Sequence, residues 1–542
     1  MKLILTYLAV AIVLISCKNK DSYDLGAFNL SLKNYLNYQE EAVFELVKQA
    51  PLKVKLNQDS MAVSNQVRYL SKELLWSDGF TPNKRATEFL SSVKKSYYYG
   101  LDSNLFAYKQ MKALYDSAQK HPKNQNHLVN LELLYTHQAI QFLSANRYGV
   151  TKRHYKDSAS KKVTLDTLST NDLMILAHAL NKNNISIALD SLKPNNPFFT
   201  PLQRGLAHFL DSFSLSKEKV GVISKLIDSV TAYNQAREAL LCYGYLDSTN
   251  YLDSASFFHA IKRFQYHHGL TVDGMVGRGT AYLMSKSNYE RYQKAAISLE
   301  KLRHLTIDSS EFLFANIPSF TLRAYRNGSI KRQHRVVVGT YRTQTPTFNA
   351  SMQYLILNPF WAVPYSISST EILPKIKKAP SIIQTKGYQI QSSTMKPLDA
   401  STIDWTKVDS KNFNYRIVQT RSGGTALGKV KFIFPNNHSV FFHDTPSKSF
   451  FNSDVRAYSH GCIRVQNPLE LAEYIIQRQD ESVTLDSIQK IASGSTQKRF
   501  NLKKNLAVSI DYYTSLADSN GNIQFYRDVY DRDLIYERVM FQ

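Results

Sequence analysis

Residues 439–465 read SVFFHDTPSKSFFNSDVRAYSHGCIRV, and this stretch decides how the C-terminal half of the chain folds and what it can do. Ser439-Val440-Phe441-Phe442 is a short β-branched and aromatic run of the kind that forms a strand, and it ends at His443. Nineteen residues after His443 comes Cys462, preceded by Ser459, His460 and Gly461 and followed by Ile463-Arg464. A thiol is only a few per cent ionised at neutral pH and becomes a competent nucleophile when an imidazole takes its proton. Cys462 with His443 is therefore a minimal acyl-transfer pair. Gly461 lets the backbone turn tightly before the sulfur, leaving amide N–H groups free to point at a developing oxyanion. Arg464 and His460 are placed to hold a substrate carboxylate or to brace the loop. Asp444 is expected to stabilise the loop rather than to titrate. His443 comes before Cys462, the reverse of the order in papain-like peptidases.

Outward from this stretch the pattern stays β-rich. Phe320, Leu322 and Ala324 alternate with polar residues, Asn327-Gly328 supplies a tight turn, and Arg335-Val336-Val337-Val338-Gly339 returns, which is a hairpin signal. Further strand runs lie at Tyr354 to Leu357 and Val430 to Phe434. Near the end, Val508, Ile510 and Tyr512 alternate, Asp518 to Gly521 can turn, and Ile523 with Phe525 returns. A polar insertion with helical and Pro breaks, about 368–425, separates early strands from late ones. From about 28 to 245 the apolar spacing is helical, as in Leu131, Leu134, Tyr135, Ala139, Phe142 and Leu143. Breaks fall at His121-Pro122-Lys123-Asn124, Lys182-Asn183-Asn184 and Lys193 to Pro197. Between these regions, Phe257, Ile261 and Phe264 form a helix stripe stopped by Gly269. The adjacent His267 and His268, without an acidic or Cys partner nearby, read as solvent-facing.

Residues 430–465 resemble the active-site segment of the L,D-transpeptidase (YkuD-type) catalytic domain, whose signature is a His followed by Ser/Thr-His-Gly-Cys. Asn316-Ile317-Pro318, Val337-Val338-Gly339, Thr345-Pro346-Thr347-Phe348, Leu357-Asn358-Pro359 and Ala426-Leu427-Gly428 resemble the long subgroup of that family, which carries a helical scaffold, a peptidoglycan-binding module and a capping lobe. Residues 260–283, AIKRFQYHHGLTVDGMVGRGTAYL, resemble the small three-helix peptidoglycan-binding module through Phe264-Gln265, Gly269-Leu270, Asp273-Gly274 and Gly277 to Thr280. The resemblance implies a multidomain α+β protein. Its parts are a signal segment at 1–16, a helical scaffold at 17–245, the peptidoglycan-binding-like module at 246–290, and a β-rich catalytic domain at 310–500 with the cap inserted at about 368–425. C-terminal strands at 501–542 are expected to pack on that domain. It further implies Cys462 as nucleophile, His443 as proton carrier, and Ser459, His460, Gly461 and Arg464 as the oxyanion and substrate loop. The implied reaction is a 3→3 crosslink made through a Cys462 thioester with release of D-Ala, or L,D-carboxypeptidation when water replaces the acceptor stem. No metal and no cofactor is needed, because the thioester conserves the energy of the broken peptide bond.

The first sixteen residues pair Lys2 with the apolar run Leu3 to Ile15, too short to span a bilayer comfortably. The run ends in Leu14-Ile15-Ser16-Cys17, which resembles a bacterial lipobox and implies lipidation of Cys17. The expectation is a periplasmic lipoprotein of the cell envelope, held to a membrane by its lipid. The formal charge of +23 calls for an acidic partner. An exported location argues against nucleic acid and for peptidoglycan stem peptides, both donor tetrapeptide and acceptor stem. Residues 421–465 carry a local excess of Lys and Arg beside Cys462. The helical scaffold is the region expected to meet wall-synthesis proteins. Of the three cysteines, Cys242 alone has no assigned chemistry and reads as a buried structural thiol.

Overall fold

The computed structural model describes residues 75–541 apart from 79–80, 123, 152–174, 177, 180–181, 183, 308–309 and 421–424. The signal segment at 1–16, Cys17 and residues 17–74 of the expected scaffold lie outside the described residues. The chain divides into two compact units, one drawn from Met1–Gln203, Leu299–Leu305 and Tyr536–Gln542, the other from Arg204–Ser298 and Thr306–Ile535.

The first unit is helical. After a two-strand ribbon, β1 (Ser77–Asp78) and β2 (Thr81–Pro82), come α1 (Lys84–Lys94), α2 (Tyr108–Lys120), α3 (Gln125–Tyr148) and α4 (Ile185–Ser191). The polar breaks act as caps: the side chains of Asn124 and Asn184 accept backbone N–H groups at the starts of α3 and α4. Along α3, Leu131, Tyr135, Ala139, Phe142 and Leu143 are buried, as their spacing predicts. Glu132 on the same helix is buried too, and its carboxylate takes the N–H groups of Leu75 and Trp76 at 3.0 and 2.8 Å and the Ser77 hydroxyl at 2.8 Å.

The second unit begins with a three-helix module, α5 (Ser229–Cys242), α6 (Ser254–His267) and α7 (Arg278–Met284). Ala232, Ala236, Ala239 and Leu240 of α5 share one core with Phe257, Ile261 and Phe264 of α6 and with Leu283 and Met284 of α7. Helix α5 therefore packs with this module, although its sequence falls inside the 17–245 span expected for the scaffold. The same stripe corrects the reading of Cys242: the buried face of α5 runs through Ala239, Leu240 and Tyr243, which leaves Cys242 exposed. His268 is corrected in the opposite sense, for it is buried rather than solvent-facing. Past α6 the chain turns at Gly269 (φ 66°), and the His268 ring stacks on Phe264 at 3.8 Å with Nδ1 on the Phe264 carbonyl at 2.8 Å.

The rest of this unit is β-rich. In chain order come β3 (Glu311–Asn316), β4 (Thr321–Arg326), β5 (Ser329–Gly339), β6 (Phe348–Leu357), β7 (Trp361–Ala362), α8 (Leu373–Lys378), α9 (Ile382–Thr385), β8 (Tyr388–Gln391), β9 (Pro397–Leu398), β10 (Arg416–Gln419), β11 (Val430–Ile433) and β12 (Phe442–His443). They are followed by β13 (Ala457–Ser459), β14 (Ile463–Val465), α10 (Pro468–Gln477), α11 (Leu485–Ser493), β15 (Lys498–Asp511), β16 (Ser515–Ala517) and β17 (Ile523–Phe525). Among the described residues the main sheet runs β13-β5-β14-β12-β11-β6-β15-β3-β4, and β4 also pairs with β5, so the sheet closes on itself. Asn327 and Gly328, both at positive φ (51° and 75°), make the expected tight turn between β4 and β5. β15 differs from expectation. It is no appended strand but lies inside the closed sheet, antiparallel to β6 and parallel to β3.

The insertion folds as its own lobe. Its small sheet runs β7-β10-β8-β9, and Ile372, Leu373, Ile376, Ile390, Trp405, Phe413 and Ile417 form its core. The lobe starts at β7, slightly ahead of the expected boundary at 368. Where β6 leaves for the lobe, Asn358 is fully buried at φ 54°, and its side-chain amide donates to the carbonyls of Ile491 and Thr496 at 2.8 and 3.0 Å. Asn358→Ala forces an alanine into the left-handed region and strands two carbonyls, a loss of about 2–4 kcal/mol. Urea unfolding should show this loss, with Asn358→Gly less affected because it removes the backbone strain.

Candidate active site

β12 and β14 pair in parallel, with Phe442 opposite Ile463 and His443 opposite Arg464. Alternate side chains of a strand face opposite ways. Phe442, Ile463 and Val465 enter the hydrophobic core. Phe441, His443, Cys462 and Arg464 therefore share the opposite face, and β11 extends the row by placing Lys431 opposite His443. His443 and Cys462, far apart in sequence, are brought together by this two-residue ladder.

The imidazole is oriented by the main chain. His443 Nδ1 lies 2.5 Å from the carbonyl oxygen of Asp444. A carbonyl only accepts, so Nδ1 carries the proton and Nε2 is the bare nitrogen of the neutral ring. Burial, reinforced by Arg464 and Lys431, pushes the His443 pKa down to about 3. Burial also pushes the Cys462 thiol up, against the lowering effects of the Phe441 backbone, Lys431 and Arg464. At neutral pH the resting pair is thus thiol and neutral imidazole. The thiol donates to the carbonyl of Ser439 at 3.8 Å.

The loop before the sulfur is held by a dense set of bonds. Ser459 Oγ donates to the Cys462 carbonyl at 2.5 Å and accepts the N–H of Gly461 at 3.1 Å. Thr345 Oγ1 donates to the Gly461 carbonyl at 2.8 Å, and the Ser459 carbonyl accepts from the Thr340 N–H and the Thr343 hydroxyl, both at 3.0 Å. Gly461 sits at φ 111°, which only glycine adopts without strain. The expectation that the Gly461 amide is free for an oxyanion is corrected here: the Ser459 hydroxyl sits inside the turn and takes it. The Cys462 N–H has no partner among the described residues and is the loop amide left to meet a developing negative charge.

Two other expected residues turn elsewhere. His460 is half-exposed, and its Nε2 lies 2.7 Å from Glu371 in the inserted lobe, a partner that nothing in the local sequence pattern marks. Asp444 accepts from the N–H groups of Lys429 and Thr445 at 2.8 and 2.7 Å and from the Lys448 ammonium, and it sits so close to Gly428 that no Cβ fits there. It braces the strand ends, as its position suggests. Arg464 lies over the Phe450 ring at 5.8 Å and Lys431 over the Phe441 ring at 3.7 Å, and neither has a carboxylate partner among the described residues.

The module residues are apart from this cluster; Phe264, Gln265 and Gly274 are buried, and Asp273 is exposed. The Gln265 side chain donates to Asp273 Oδ1 at 2.7 Å and accepts the N–H groups of Asp273 and Gly274 at 3.0 and 2.8 Å. These bonds tie Gln265 to the Asp273-Gly274 turn of the module.

Residues 310–484 match the family model described as "L,D-transpeptidase catalytic domain", residues 69–206 that described as "Scaffold domain", and residues 231–284 that described as "Putative peptidoglycan binding domain". A curated protein of Haemophilus influenzae named "Putative L,D-transpeptidase" is 32% identical over 241 residues, covering 44% of this chain and 48% of that protein. The chain thus spans about half the length of the curated relative it matches. A solved L,D-transpeptidase of Stackebrandtia nassauensis is 11% identical, with 52% of this chain and 90% of that chain covered and a TM-score of 0.21. The chain is a multidomain α+β protein that carries an L,D-transpeptidase catalytic domain beside a peptidoglycan-binding domain and a scaffold domain.

Proposed function

We propose that this chain is a peptidoglycan L,D-transpeptidase that makes 3→3 crosslinks through a thioester on Cys462. The observation that carries the reading is the shared face of His443 and Cys462, flanked by Lys431 and Arg464, two cations without carboxylate partners among the described residues. In the first half-reaction the sulfur bonds to the carbonyl carbon of the third stem residue while the thiol proton passes to Nε2 of His443. The Cys462 N–H holds the oxyanion. Its collapse breaks the peptide bond, and His443 returns the proton to the amine of the departing D-Ala. In the second half-reaction the side-chain amine of a neighbouring stem attacks the thioester and loses a proton to His443, and sulfur leaves to take that proton back. Water attacking instead gives L,D-carboxypeptidation.

Such a substrate requires a location in the cell envelope. Lipidation at Cys17 would hold the protein to a membrane, and the peptidoglycan-binding domain would keep the catalytic domain near the wall. The helical scaffold is the surface assigned to wall-synthesis proteins. No helix among the described residues is long and apolar enough to cross a membrane.

Incubation with purified disaccharide-tetrapeptides, read by mass spectrometry, tests the reading. Dimers lacking one D-Ala are expected; tripeptides alone would instead mark a carboxypeptidase. Cys462→Ala should abolish both products, and His443→Ala should slow them by about 10²–10⁴-fold. Undiminished activity in Cys462→Ala would sink the mechanism.

The ionisation of the thiol gives a second test. Because burial raises the Cys462 pKa above its ordinary value of 9.0, iodoacetamide alkylation of Cys462 should still be climbing with pH at pH 9. Arg464→Met removes a cation that favours the thiolate, so its curve should move to higher pH. Peptide mapping distinguishes this site from Cys242. A plateau near neutrality would contradict the resting thiol.

A further inference from the structure

Among the described residues, Lys431 is the charged residue of the face shared by His443 and Cys462 that neither the sequence pattern nor the family resemblance singles out. Its position follows from two registers. It stands opposite His443 across β11 and β12, while Arg464 stands opposite His443 across β12 and β14. The three side chains form one row over three neighbouring strands, with His443 in the middle and one strand spacing of about 4.8 Å on either side. Cys462 sits one step before Ile463 on the same face.

The surroundings of Lys431 are those of a cation kept for a visitor. Val430 and Phe432, its neighbours along β11, are fully buried, and its ammonium rests 3.7 Å from the centre of the Phe441 ring. No carboxylate and no hydrogen-bond acceptor among the described residues takes the ammonium N–H groups. Burial holds its pKa below the ordinary lysine value, the response of a cation short of counter-charge. A partly desolvated ammonium is costly unless an anion joins it. In the proposed donor such an anion is always present at a fixed place: the C-terminal carboxylate of D-Ala lies one residue beyond the scissile carbonyl, about 3.3 Å further along an extended chain.

We infer that Lys431 is a specificity-determining residue that binds the free carboxylate of the donor's leaving residue, so that stems ending one residue past the scissile bond are chosen. The inference rests on the transpeptidase reading. It assigns the row a division of labour: His443 moves the proton, the Cys462 N–H receives the oxyanion, and Lys431 on the far side of His443 from Arg464 holds the end of the chain that will leave.

The test compares two donors on the full chain: a disaccharide-tetrapeptide with a free terminal carboxylate, and the same molecule with a terminal carboxamide. The native protein should favour the acid in kcat/KM by roughly 10- to 100-fold, the range of a charge-assisted hydrogen bond. Lys431→Met should bring the acid-to-amide ratio close to one, mainly by raising KM for the acid, and Lys431→Arg should keep most of the preference. The ratio is internal to one preparation, so a smaller folded fraction cancels. A lysine that acts only on the thiol would slow both donors alike in Lys431→Met and leave the ratio intact, which overturns the inference. Equal use of acid and amide by the native protein overturns it as well. Failure of the native protein on both donors removes the transpeptidase reading beneath it.

Discussion

The ladder between β12 and β14 is only two residue pairs long, yet the face shared by His443 and Cys462 depends on its register. Phe442, Ile463 and Val465 point into the core because hydrophobic burial there is worth roughly 1.5–3 kcal/mol for each large side chain. That choice sends His443, Cys462 and Arg464 the other way without any further device. A slip of one residue would reverse every side chain and bury the imidazole and the guanidinium in the core. The closed sheet guards against such a slip, since β5 is held by β4 through its first part and by β14 and β13 through its end. His443, at the end of β12, and Cys462, one residue ahead of β14, are therefore placed by strands that the closed sheet holds in register.

Charge at the site is set by a contest that burial wins. At an effective dielectric constant of about 20, a cation roughly 5 Å from the sulfur stabilises a thiolate by about 3 kcal/mol, or about two pKa units. Desolvation of a buried group shifts its pKa by up to about 3–5 units. Both Lys431 and Arg464 favour the thiolate, and the thiol is nonetheless pushed up. For His443 burial and the two cations act in the same direction, which is why the imidazole falls so far. In the mechanism we propose, proton transfer then belongs to the moment of attack rather than to the resting state.

Much of this arrangement could be read along the chain. The pairing of a strand-end histidine with a Ser-His-Gly-Cys loop, the Asn327-Gly328 turn and the helical stripe of α3 all depend on short-range pattern, and each is found in place. What could not be read depends on contacts between distant segments. Glu371 has no local motif that points to His460, and Lys431 looks like any solvent-facing lysine of an alternating strand until the register puts it beside His443. Cys242 and His268 fail for a related reason: each sits at a helix end, where a shift of one residue decides between core and solvent. The Gly461 amide is taken by a hydroxyl two residues away, a local bond that residue types alone do not announce.

The inserted lobe leaves and rejoins the catalytic domain through β7 and β10, which pair directly, Trp361 with Gln419 and Ala362 with Val418. Its two ends are therefore neighbours, and its core is its own. A segment with adjacent ends adds little loop-closure cost however long it grows, because that cost rises only with the logarithm of length. Its length and sequence can drift while β12 and β14, which place His443 and Cys462, keep their register. In evolutionary terms the chemistry and the surface that overlooks it are free to change at different rates.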